Sequence, residues 1–151
     1  MEQARSQTTP RTGIAFRRLT GVERLAVLLE TFLGLGAMTG AVPLILAPDG
    51  HLLGMTTKLL AESPFNSYLV PGIVLFSVIG VAPLLAAAVT LRGLAIAPQA
   101  AIAVGVLLIG WIAVEMVVLA GPASLAWALY LVLGTSIAAL GVALWRSRMS
   151  R

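Results

Sequence analysis

Cysteine is absent from the 151-residue chain, and histidine and lysine each occur once. No disulfide, thiolate metal centre or cysteine nucleophile can be built from it, and the lack of cysteine leaves the redox compartment open. One histidine is too few for a metal site or for two axial haem ligands within one chain, so no metal and no cofactor is expected. Charge is scarce as well: charged residues make up 11%, against 59% hydrophobic. With a mean hydropathy of +0.99 such a chain would not dissolve as a globular fold. The formal net charge is +4. The basic residues flank apolar runs and form no stripe interleaved with aromatics, which argues against nucleic acid as a partner. Nine of the ten cationic residues are arginine, a bias expected of a GC-rich bacterial genome.

What the chain has instead is long apolar runs. Leu69 to Leu91 carries no charge over 23 residues and ends on Arg92. As a helix it would be about 34 Å long, enough to cross a hydrocarbon core of about 30 Å with some tilt. A buried helix of a soluble protein seldom stays apolar on every face for that length. Residues 25–47, 100–119 and 125–145 have the same character. The length allows one domain, so the expected fold is all-α: an integral membrane four-helix up-down bundle spanning residues 21–146. Residues 1–20 form a basic tail with no signal-peptide core, and residues 147–151 close the chain as a second tail. The first run is too long for a signal peptide and lacks an A-x-A pattern after it, so it should stay attached.

Orientation follows from Lys and Arg. The two tails and the Arg92 connection hold nine arginines, and the opposite side holds only Lys58. That bias places both termini in the cytoplasm of a bacterial inner membrane. Tyr68, Trp127, Tyr130 and Trp145 fall near segment ends, as an aromatic belt would place them. On the outer side, Pro48-Asp49-Gly50 signals a turn. Leu52, Leu53, Met55, Leu59 and Leu60 then recur at helical spacing, so residues 48–68 predict a short amphipathic helix at the interface. Asn66 or Ser67 is the expected N-cap of the second helix. Pro43 is expected to kink or end the first helix near its far end, and Pro83 to kink the second at mid-membrane. Gly36 and Gly40 form a small-xxx-small face where another helix can approach.

Two carboxylates fall inside the membrane, Glu30 in the first helix and Glu115 in the third. At such depth an ionisable group costs several kcal/mol unless neutralised, paired or wet, which makes each a functional candidate. Counting from the segment ends puts them about 9 Å apart in height, too far to pair. In an antiparallel bundle Glu30 should be level with Thr135 and Ser136, and Glu115 with Trp127 and within reach of Tyr130. Trp111 precedes Glu115 by four residues and shares its face. An indole beside a carboxyl there would floor a small cavity opening outward, near Asn66 and His51. The ligand- or proton-binding candidates are therefore Glu30, Glu115, Trp111 and Tyr130. The plainer alternative is that both glutamates are interhelical glue. No catalytic set is expected: His51 stands alone in a loop, and the glycines of GLGAMTG follow no strand.

At SPFNSYLVPGIVLF, residues 63–76, and GWIAVEMVVL, residues 110–119, the chain resembles a group of small bacterial four-helix integral membrane proteins. These carry an S-P-F-x-x-Y/F-L-I/V-P-G-x-x-L-F-like stretch opening the second helix and a W-I-x-V-E/Q stretch in the third. The resemblance spans most of residues 20–146. It puts Ser63, Pro64, Phe65, Pro71, Gly72, Trp111 and Glu115 forward as family-like positions, and implies a topology but no activity. LETFLG around Glu30 is faintly similar to the small multidrug resistance transporters, which also have four helices and a glutamate in the first. The 20-residue outer loop and the longer tails depart from that family, so this similarity stands as analogy.

Together these features lead to an expectation of a non-enzymatic accessory membrane protein, binding a membrane protein partner or a lipid-like small molecule; a homodimer is the other expected assembly, and it goes with the rival reading. The rival is a proton-coupled transporter or sensor using the membrane-embedded glutamates.

Overall fold

The computed structural model describes residues 19–61, 63–118 and 125–150, and among them there are helices and turns but no strand. Among the described residues four helices are long and apolar enough to cross a membrane: α1 (Gly21–Leu46), α2 (Leu69–Leu91), α3 (Ala97–Val118) and α4 (Leu125–Met149). The chain is a multi-pass membrane protein. α1 packs on α2 and α4, α2 packs on α3, and α3 packs most extensively on α4, which closes the four into a bundle.

α1 begins earlier than its apolar run because Thr20 caps it. The Thr20 hydroxyl accepts from the Glu23 N–H at 3.2 Å, and the Glu23 carboxylate accepts from the Thr20 N–H at 2.9 Å. This is a reciprocal capping box, legible in the sequence as Thr-Gly-Val-Glu. α1 carries Pro43 inside it and continues to Leu46. α3 begins at Ala97, with Pro98 in its first turn, where a missing N–H costs little. α4 does not stop at residue 145: it continues to Met149 and takes most of the expected second tail into the helix. The reason is a tie across the bundle end, where Arg148 donates to the Leu94 and Ala95 carbonyls, 3.0 Å each.

α2 spans Leu69–Leu91, the boundaries expected from its uncharged run, but not as one regular helix. Its stretch Leu75–Val81 is π-helical, between α-helical Leu69–Val74 and Ala82–Leu91. Pro83 has no N–H, and its ring crowds the carbonyl four residues back, that of Ile79, which lies inside the widened stretch. The N-cap of α2 is Tyr68, without a side-chain cap bond, rather than Asn66 or Ser67.

Close packing is set by small residues at three points of two crossings, α1 on α2 and α3 on α4. A Cβ on Gly34 would lie 2.7 Å from the Gly80 carbonyl oxygen, one on Gly105 2.5 Å from that of Gly134, and one on Gly141 2.7 Å from the Ile102 nitrogen. In lipid, tails solvate apolar side chains as well as other helices do, so van der Waals contact at such crossings holds the bundle. Leu33, Ile79, Ala86, Leu108, Ile112 and Ile137 fill the centre between the two helix pairs. Phe32, Leu46, Val117 and Leu125 stand exposed on the outside, as lipid-facing side chains do. Gly36 behaves differently from expectation. A Cβ there would meet nothing within 4 Å, and one on Gly40 only the tip of Leu75 at 3.9 Å, so no helix among the described residues packs closely on this face.

The outer loop is not an amphipathic helix. It holds two separate 3-10 turns, His51–Leu53 and Thr57–Leu60. Gly54 breaks the helical spacing between them with a φ of 65°. Glu62 lies outside the described residues, as do residues 1–18 and the Gly121-Pro122 turn. Tyr68 braces the loop instead of joining a lipid-facing belt. It is 2% exposed, its N–H donates to the Pro48 carbonyl at 2.8 Å, and its hydroxyl donates to the Thr56 carbonyl at 2.9 Å.

Candidate functional site

Three of the four candidate residues converge, and one stands apart. α3 carries Trp111 and Glu115 one turn apart, which puts both on one face. The Trp111 Nε1–H donates to Glu115 Oε1 at 2.7 Å, and the Trp127 indole of α4 is a neighbour of that carboxyl. The antiparallel register of α3 and α4, with Gly105 beside Ala138 and Gly141 beside Ile102, places Trp127 level with Glu115, as expected.

Two cavities meet at this pair. The larger, about 210 Å³, lies beneath the outer loop among Leu44, Met55, Leu60, Phe65, Tyr68 and Val74. The smaller, about 130 Å³, runs deeper among the four helices, past Leu33, Ala37, Ile79 and Ile112, with Gly36, Gly40 and Tyr130 at its edge. Leu75, Trp111 and Glu115 line both. The hollow is apolar except around one half-buried carboxyl with an indole donor and the Tyr130 phenol. Its neighbours from the loop are Met55, Leu60, Phe65 and Tyr68 rather than the expected Asn66 and His51. His51 instead sits at the surface, where its ring Nδ1 lies 2.6 Å from Asp49 Oδ1. The hydrogen bonds from His51 hold the Asp49 carboxyl below the usual carboxylate range. Met55 and Leu60, read in the sequence as part of an amphipathic helix, and Phe65, a family-like position, were not expected at this cavity, because only the fold of the loop brings them over the bundle.

Glu30 does not belong to this site. α1 begins at Gly21 and α3 at Ala97, so Glu30 lies about 14 Å and Glu115 about 27 Å from the same end of the bundle. Glu30 is fully buried, and neither of its carboxyl oxygens has a hydrogen-bond partner among the described residues. The expected partners on α4 point elsewhere: Thr135 and Ser136 donate to the Leu131 and Val132 carbonyls of their own helix. Thr90 of α2 is likewise fully buried with its hydroxyl oxygen unpartnered. The register of α1 on α2, with Gly80 beside Met38 and Leu84 beside Gly34, puts Thr90 within about one helical turn of the height of Glu30.

Among the described residues no group of His, Asp and Glu is placed to hold a metal ion. No family model, curated protein or solved structure matches the chain.

Proposed function

We propose that this is a bacterial inner-membrane protein, with both termini in the cytoplasm, that works without catalysis by holding a lipid-like small molecule in the hollow around Glu115. The observation that carries this is one acceptor group set into otherwise apolar walls. Trp111 fixes the carboxyl by its hydrogen bond, while aliphatic and aromatic side chains of all four helices and the loop enclose the rest. Small-molecule sites have this character: mostly apolar, with a few placed polar groups that orient the ligand. The topology is supported by the arginine bias towards the tails and the Arg92 connection. Native mass spectrometry of the protein purified from its own membrane in a gentle detergent tests the proposal. The expected result is a small apolar adduct on the intact chain. A bare chain overturns it, and a stoichiometric second protein overturns it in favour of a protein partner.

A second reading, proton-coupled transport or sensing, is favoured by the two unpartnered oxygens of Glu30. A fully buried group that makes no bond in one state is a candidate for bonding in another. In liposomes carrying a pH-sensitive dye, wild type should then move protons with a solute, and Glu30→Gln should stop the flux at unchanged folded yield. Absence of any pH-dependent flux in the wild type removes this reading.

A further inference from the structure

The smaller cavity has a side door. Gly36 and Tyr130 line it, yet Gly36 is exposed on α1 and Tyr130 is 39% exposed on α4. The cavity therefore opens laterally between these two helices, towards lipid. Gly36 and Gly40 have no close neighbour across the opening, so their missing side chains do not serve a helix crossing within the chain. They keep the opening clear. At the inner end stands Glu115, the one carboxyl among the residues that line the hollow. It accepts from Trp111 and lies close to the outer end of α3, the depth at which lipid headgroups meet acyl chains.

From this geometry we infer that the ligand is a single-chain amphiphile with a cationic amine head, entering from the outer leaflet through the window formed by Gly36, Gly40 and Tyr130. The head donates to Glu115, and the alkyl chain lies in the cavity and trails through the window into the bilayer. Charge complementarity selects the head. A carboxylate set among apolar walls attracts an ammonium more strongly than at a water-exposed surface, and an ammonium supplies three donors to its remaining lone pairs. The size of the hollow favours a single chain, since its two cavities, about 210 and 130 Å³, together reach only the low end of the range of small-molecule sites. This inference rests on the hollow being a binding site.

The test uses the whole protein in lipid nanodiscs with two probes, dodecylamine and dodecanol. Affinity is read by native mass spectrometry and entry rate by stopped-flow tryptophan fluorescence. Wild type should bind both probes and prefer the amine. Glu115→Gln should weaken the amine by about tenfold more than the alcohol, as loss of a charge-assisted hydrogen bond implies. Gly36→Phe, whose new side chain starts in open space, and Gly40→Phe, whose Cβ meets only the tip of Leu75 at 3.9 Å, should slow entry of both probes. Gly110→Phe is the control. It also starts in open space, but it faces the shallow outer groove between α2 and α3, and it should change nothing. Binding of neither probe removes the hollow itself as a site. Equal binding of both, with Glu115→Gln indifferent, leaves the hollow standing and overturns the amine head. Unchanged entry in the two glycine variants overturns the window, as does a wild-type dimer that Gly36→Phe splits, because the opening is then an interface between copies.

Discussion

Replacing Glu30 by methionine should stabilise the protein. The side chain is fully buried in α1, and both carboxyl oxygens lack a hydrogen-bond partner among the described residues. A buried polar group left unsatisfied costs about 1–3 kcal/mol, and a side chain of the same length without polar atoms does not carry that cost. Methionine is also unbranched and adapts to the slot that glutamate fills, so little strain should offset the gain. The expected change is about +1 to +3 kcal/mol in unfolding free energy. Reversible unfolding by SDS in dodecylmaltoside micelles, followed by circular dichroism, measures it. Glu30→Gln keeps two unsatisfied polar atoms and should stay within about 1 kcal/mol of wild type. Thr90→Val removes the other unpartnered oxygen while keeping shape, and its effect should add to that of Glu30→Met within about 0.5 kcal/mol. If Glu30→Met instead destabilises by about 1 kcal/mol or more, the carboxyl has a bonding partner and the reasoning fails. Coupling well above about 0.5 kcal/mol between the two sites would place a shared hydrogen-bonded group, such as a buried water, between them. Should Glu30→Met be more stable and inactive, the strain at Glu30 is functional.

Further outcomes follow from the packing, the loop and the topology. Gly105→Ala, whose Cβ would sit 2.5 Å from the Gly134 carbonyl oxygen, should cost about 1–3 kcal/mol in the same unfolding assay. Gly36→Ala, with nothing within 4 Å, should be neutral or stabilise by up to about 1 kcal/mol through helix propensity. Tyr68→Phe loses the bond to the Thr56 carbonyl and should lower stability by about 0.5–1.5 kcal/mol. It should also raise hydrogen exchange across residues 48–61, and unchanged exchange there would show that the phenol does not brace the loop. Because the chain has no cysteine, single cysteines report topology cleanly. In intact spheroplasts an impermeant maleimide should label His51→Cys and leave Ser150→Cys unlabelled until the membrane is lysed. The reverse pattern would invert the assigned orientation.

The sequence by itself determined the number of spanning helices. An uncharged run from Leu69 to Leu91 has no stable state in water other than inside lipid or a core, and in lipid its backbone must bond internally, which makes it a helix. It also determined that Trp111 and Glu115 share a face, because four residues are about one turn. The antiparallel level of Trp127 with Glu115 was legible for the same reason: short connections fix the register of neighbouring helices. The capping box at Thr20 and Glu23 was equally local and could have been read.

Only the tertiary structure decided which polar groups find partners. Thr135 and Ser136 stand near the right height for Glu30 but bond back to their own helix, a matter of rotation about the axis. An all-round apolar sequence carries no signal for that rotation. The outer loop was misread for a related reason. Leucine spacing suggests a helix, whereas Gly50 and Gly54 at positive φ fold it into two turns whose side chains roof the hollow over Glu115. Gly36 and Gly40 look the same in sequence as Gly34 and Gly80, and their roles part only when the helices pack. One pair lies at a crossing and the other beside an opening, because which face of a membrane helix meets a neighbour is set by shape rather than by hydrophobicity.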